Sequence, residues 1–90
     1  MPFYIYIIQS QKDNSFYKGY TQDPVKRLHQ HNSSESHYTS AKIPWVLVYV
    51  EEMPDKRTAL IREINLKKAT RQRIKALIVS DKNIVQSFVL

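Results

Sequence analysis

Two tyrosines, an arginine, a histidine and a glutamate are the residues of this chain whose types and spacing could do chemistry. Tyr6 stands in Tyr4-Ile5-Tyr6, and Tyr17 follows eleven residues later in Tyr17-Lys18-Gly19. Each phenol can give, accept or lose a proton, but an ordinary pKa of about 10 leaves the phenolate scarce at neutral pH unless a neighbour helps. Gly19 is the only glycine in 90 residues, so it serves the backbone: without a Cβ it suits a tight approach by a neighbour or a kink at a strand end. Arg27 and His31 are four residues apart and share one helix face. His31, near the end of that helix, is expected to feel the negative end of the dipole, which favours its charged form. Glu63 is the only acidic residue between Asp55 and Asp81, set among Arg62, Lys67 and Lys68. Each also has a plain structural alternative. Tyrosines line core edges, Arg27 and His31 suit a solvated helix face, and Glu63 can pair with Lys67 at i,i+4.

Charge locates a partner. The net charge is +6, with five basic and five acidic side chains in residues 1–54 against nine basic and three acidic in 55–90. The excess is therefore C-terminal, and Lys67, Lys68, Arg71, Arg73 and Lys75 form a cluster of the kind that attracts a phosphate backbone. The same cluster also reads as a solvated helix face. There is no cysteine, which excludes a disulfide framework and a thiolate zinc site and points to a reducing compartment. The N-terminal apolar run is too short for a signal peptide and none approaches a membrane span. A soluble, cytoplasmic protein is expected.

The elements that must position these residues follow from periodicity. Phe3 to Ile8 and Ser15 to Tyr20, either side of Lys12-Asp13-Asn14, predict a hairpin. Strand alternation then puts Tyr4 and Tyr6 on one face, and Tyr17 and Gly19 on one face, so two phenols can meet across neighbouring strands. Asp23-Pro24 predicts a helix start, with a helix over about 24–32 burying a stripe of Val25, Leu28 and His29. Residues 33–44 read as a loop carrying His37, Tyr38 and Thr39, and Trp45 to Val50 as a strand buried on both faces. Beyond Pro54, Asp55 or Thr58 caps a helix with Ala59, Leu60, Ile64 and Ala69 on one side. Thr70 caps a last helix with the stripe Ile74, Leu77 and Ile78. The expected organisation is one domain over 1–80, with 81–90 as a tail that docks, frays or makes a dimer contact.

The set as a whole resembles the GIY-YIG nuclease superfamily, in particular its small stand-alone bacterial members. Tyr4-Ile5-Tyr6 matches the first motif, with Tyr4 in place of the family's Gly, and Tyr17-Lys18-Gly19 matches the second. Arg27 and His31 match the first-helix motif. Tyr38-Thr39 and Pro44 to Tyr49 look like the family's loop and third strand, and Glu63 followed by Lys67-Lys68 matches the helix that carries its metal-binding carboxylate. The family's Asn, some dozen residues after that Glu, has no counterpart at a matching distance, since Asn65 and Asn83 are two and twenty residues on.

The resemblance implies an α+β fold, β-β-α-β-α-α, with a three-stranded antiparallel sheet flanked by helices. It also implies hydrolysis of a DNA phosphodiester with one divalent ion, Mg²⁺ or Mn²⁺, in DNA repair or processing. In that scheme Glu63 holds the metal through hard carboxylate oxygens, Arg27 faces the phosphate oxygens, and Tyr6 is the general base with Tyr17 positioning water or phosphate. Metal and Arg27 are expected to lower a phenol pKa, and His31 to orient a tyrosine or relay its proton. With only basic helices to grip DNA, cutting is expected to be structure-selective or weakly sequence-specific, and RNA is not excluded. The alternative is a non-catalytic nucleic-acid binding module on the same scaffold.

Overall fold

A central strand organises the molecule because its side chains alternate between two hydrophobic layers. The computed structural model describes residues 2–88. Strand β1 (Phe3–Ser10) lies between β2 (Phe16–Thr21) and β3 (Trp45–Met53), both antiparallel to it, in the order β2-β1-β3. Helix α1 (Pro24–Asn32) follows β2, and helices α2 (Lys56–Lys67) and α3 (Arg71–Ile78) follow β3. Short 3₁₀ turns cover Ser40–Lys42 and Val85–Ser87.

On one face of the sheet, Ile5, Ile7, Tyr49 and Met53 pack against Ala59, Leu66 and Ile74 from α2 and α3. On the other, Tyr6, Ile8, Trp45, Leu47 and Val50 pack against Leu28 of α1, Ile43 and the C-terminal Ile84, Val85 and Phe88. Strand β3 serves both layers through a register shift opposite Ile7 and Ile8, where Tyr49 pairs with Ile7 and Leu47 with Ile8. The extra residue, Val48, turns the strand so that Tyr49 faces one layer and Leu47 the other.

The hairpin turn makes no use of glycine. Asn14 takes the left-handed conformation at φ 64, which asparagine tolerates, and the buried Ser10 hydroxyl accepts the Lys12 and Asp13 amides. Caps are as expected: the Asp23, Asp55 and Thr70 side chains accept amides of Lys26, Thr58 and Arg73. Val25 and His29, expected inside, are exposed, Val25 at 50%, because α1 turns Leu28 and His31 to the sheet instead.

Helix α2 departs further from its expected stripe. Leu60, Ile61 and Ile64 are exposed, and the inward side reads Ala59, Arg62, Glu63 and Leu66, the i, i+3, i+4, i+7 spacing of one helix face. Two charges therefore sit on the inner face. Arg62 is matched by Glu51 of β3 at 3.2 Å, and Glu63 looks past the sheet edge.

Asn83 holds the free edge of β3. Its side chain accepts the Val50 and Val85 amides and donates to the Val48 and Ile78 carbonyls, and the Ile84 amide donates to the Val50 carbonyl. Phe88 then packs edge-on against Tyr4 at 5.2 Å between ring centroids. Val89 and Leu90, assigned above to the tail, lie outside the described residues.

Candidate active site

The register of the hairpin places Tyr6 directly opposite Gly19 and Tyr17 opposite Ile8. The Tyr6 ring occupies the space a side chain at Gly19 would need: a Cβ there would stand 2.6 Å from the Tyr6 hydroxyl oxygen and 2.7 Å from its Cζ. Gly19 is thus required for the close approach, not for a turn. The two tyrosine rings meet diagonally, 6.4 Å apart.

Helix α1 brings His31 beneath them, and the loop after it brings Thr39. The Tyr6 hydroxyl is 2.8 Å from His31 Nε2, and His31 Nδ1 is 2.8 Å from Thr39 Oγ1. Thr39 Oγ1 also reaches the Ser36 carbonyl at 3.4 Å. A hydroxyl that donates there accepts from the Nδ1–H, so the neutral ring keeps Nε2 bare for the Tyr6 proton, a tautomer assigned from the network. The Trp45 indole N–H donates to the Thr39 carbonyl at 3.0 Å and fixes the loop.

One electrostatic expectation, the charged form of His31, is overturned. His31 is fully buried, and desolvation, assisted by the nearby Arg27 guanidinium, lowers its pKa to about 4. Burial outweighs the helix dipole, so the imidazole is neutral at physiological pH. The Tyr6 pKa is pushed up to about 12 by burial, against which the nearby Arg27 guanidinium acts only in part. In the protein alone, Tyr6 is a neutral phenol.

Tyr6, Tyr17, Gly19, Tyr20, Thr21, Arg27 and Glu63 line one open cavity of about 430 Å³. Glu63 comes from the helix layer on the opposite face of the sheet. It reaches the cavity past the edge strand β2, with its side chain 14% exposed and its carboxylate 3.6 Å from Lys67 Nζ. All five residues singled out for chemistry thus converge, with His31 buried behind the cavity wall. Among the described residues no three His, Cys, Asp or Glu side chains could jointly hold a metal ion. The donor set of Glu63 and the phenol oxygens fits a hard cation that takes one carboxylate and fills its other positions with phosphate and water.

The five basic residues separate into four settings. Lys67 lines a second cavity with Phe16, Tyr17, Lys18 and Tyr38. Lys68 and Arg73 line a third with Arg62, Asn65, Leu66 and Ala69. Arg71 is engaged with the hairpin, donating to the Asn14 carbonyl at 2.7 Å and lying 4.6 Å over the Phe16 ring, while Lys75 is exposed on α3. Thr39 is a site residue that sequence reasoning left without a role. Its signal was its place beside Tyr38 in the segment that resembles the family's loop.

Comparison with known proteins decides the family, since residues 2–76 match the model of the GIY-YIG catalytic domain. The chain belongs to the GIY-YIG family. It is 41% identical over 70 residues to a UPF0213 protein of Streptococcus sanguinis, spanning 77% of this chain and 79% of that one. It is 38% identical over 80 residues to the UPF0213 protein YazA of Bacillus subtilis, spanning 88% and 79%. The solution structure of a UPF0213 protein from Bacillus halodurans superposes with a TM-score of 0.59 at 29% identity, covering 99% of this chain and 95% of that one. The GIY-YIG motifs fall, in this chain, on the central and edge strands that meet at Gly19. Among the described residues no helix is long and apolar enough to cross a membrane.

Proposed function

We propose that this GIY-YIG protein is a cytoplasmic endonuclease that hydrolyses DNA phosphodiesters with one divalent ion, Mg²⁺ or Mn²⁺, in DNA repair or processing. Its cutting is structure-selective or weakly sequence-specific. The observation that carries this reading is the convergence of Tyr6, Tyr17, Arg27 and Glu63 on a single cavity, with the Tyr6 hydroxyl hydrogen-bonded to a neutral, buried imidazole.

Glu63 would hold the metal together with the substrate phosphate, and the bound ion would supply Lewis-acid stabilisation of phosphoryl charge. Arg27 offers a fixed fork of donors to the non-bridging oxygens as negative charge builds on them. Tyr6 need not be ionised in advance. As its oxygen takes a proton from the attacking water, its own proton passes to His31 Nε2, the O–P bond to water forms, and the bond to the leaving oxygen breaks with its electron pair going to that oxygen, which takes a proton from solvent water. Tyr17, half-buried at the cavity wall, positions the water or the phosphate. Thr39 holds the His31 ring so that its free lone pair stays aimed at Tyr6.

The Glu63–Lys67 pair supports a second reading, a nucleic-acid binding module without catalysis. Cleavage of branched, nicked and linear DNA with Mg²⁺ or Mn²⁺ separates the two. Metal-dependent cutting is expected from the native protein, with a loss of at least about a thousandfold in Glu63→Ala. Cutting that survives in Glu63→Ala, or no cutting of any substrate, sinks the nuclease reading, and binding that persists without cutting favours the module.

A further inference from the structure

Tyr38 has no part in the proposed chemistry, yet it is held in a costly position. It is 78% exposed, and its ring centroid lies 5.8 Å from that of Tyr17. Its neighbour Thr39 is fully buried and tied to His31 Nδ1 and the Trp45 indole, so the loop is fixed at the point where Tyr38 leaves it. The ring forms one wall of a cavity of about 400 Å³ whose other walls are Phe16, Tyr17, Lys18 and Lys67. Tyr17 also lines the cavity that holds Arg27 and Glu63, and the Glu63–Lys67 pair spans from one to the other. The two cavities therefore adjoin.

An exposed aromatic face beside two lysines matches the two ends of a nucleotide. The π-face stacks on any base, and the ammonium groups meet phosphate. The cavity lies at the small end of the range for small-ligand sites, which suits one base and excludes a paired stack. We propose that it is a subsite for one unpaired nucleotide of DNA adjoining the cleaved phosphate. The base stacks on Tyr38 and its phosphate lies between Lys18 and Lys67. Its position beside the cleaved phosphate rests on the nuclease reading, and the stacking subsite itself does not.

The test is a titration without divalent ions, so its result is independent of whether the protein cuts. The probes are a fluorescein-labelled oligothymidylate, an abasic strand of the same length, an oligouridylate and a blunt duplex. Tyr38→Ala is expected to weaken oligothymidylate binding about tenfold and Tyr38→Phe to restore it, because stacking needs the ring and not the hydroxyl. Abasic and duplex binding, carried by phosphate contacts, should change by less than about twofold. Tyr38→Ala that binds oligothymidylate as tightly as the native chain overturns the subsite, as does an equal loss on the abasic strand. Tighter binding of oligouridylate than of oligothymidylate overturns its assignment to DNA.

Discussion

Each face of the sheet buries a tyrosine, and the two are placed for opposite ends. Tyr6 and Tyr49 are both almost inaccessible, and burial pushes both phenols up to about 12. Tyr49, on the α2–α3 face, donates at 2.7 Å to Glu51, whose carboxylate is already paired with Arg62. The carboxylate is shared between Tyr49 and Arg62, so this network closes on itself and fastens β3 to α2. Tyr6, on the α1 face, donates to an imidazole with an unprotonated nitrogen, beside an open cavity that also holds Arg27 and Glu63. Identical acidity therefore carries different consequences. What separates a structural phenol from a reactive one is the acceptor behind it and the opening in front.

The sharpest break of this comparison is a pair of matched substitutions. Tyr6→Phe is expected to lower the metal-dependent cleavage rate at least about a hundredfold, the usual range for loss of a positioned proton-transfer group. Tyr49→Phe should leave the rate within about threefold and cost about 1 kcal/mol of stability for the lost hydrogen bond. Cleavage rates paired with urea denaturation of both variants decide it, and equal rate losses would remove the distinction between the faces.

The two faces were also unequally legible in the sequence. Alternation in residues 3–8 assigned Ile5 and Ile7 to one layer and Tyr6 to the other, and the Asp23, Asp55 and Thr70 caps bounded three helices, because these signals are local. The inner face of α2 was misread because its two central positions are Arg62 and Glu63. Their burial depends on Glu51 across the sheet and on the cavity at the β2 edge, neither visible in helical periodicity. His31 was found as a candidate but given the wrong charge, since local dipole reasoning cannot see the sheet, Thr39 and Arg27 that enclose it. Asn83 carried no signal either, as its task of satisfying the edge of β3 is set by tertiary contact alone.

That enclosure makes the α1 face acid-sensitive in a range where the α2–α3 face is not. The folded His31 pKa of about 4 lies below the unfolded value of 6.5, so between them the unfolded chain binds more protons. The associated stability is complete above pH 6.5 and is lost as pH falls towards 4, by roughly 2–3 kcal/mol at pH 4.5. The lowered carboxyls of Asp13 and Asp55 act below their ordinary value of 3.8 and leave this window to the histidine. Urea midpoints at pH 7 and 4.5 should therefore diverge in the native chain and converge in His31→Gln. An unchanged pH slope in that variant would place the acid sensitivity elsewhere.

The smallest effect probes how tightly the α1 face is built around its phenol. Gly19→Ala would set a Cβ 2.6 to 2.8 Å from the Tyr6 hydroxyl oxygen, Cζ and Cε1. The ring cannot swing aside, because it is buried and its hydroxyl is fixed on His31. A cost of about 1–3 kcal/mol is expected from overpacking, with a fall in cleavage as the Tyr6–His31 hydrogen bond lengthens. The comparison face has no such constraint: Tyr49 lies opposite Ile7, not opposite a glycine. The cause can be isolated in a Tyr6→Leu background, where the shorter side chain no longer reaches over Gly19. There Gly19→Ala should cost less than about 0.5 kcal/mol, the difference being the coupling between the two positions. An equal cost in both backgrounds would mean that Gly19 is needed for its own backbone, and that the close approach of the phenol is incidental.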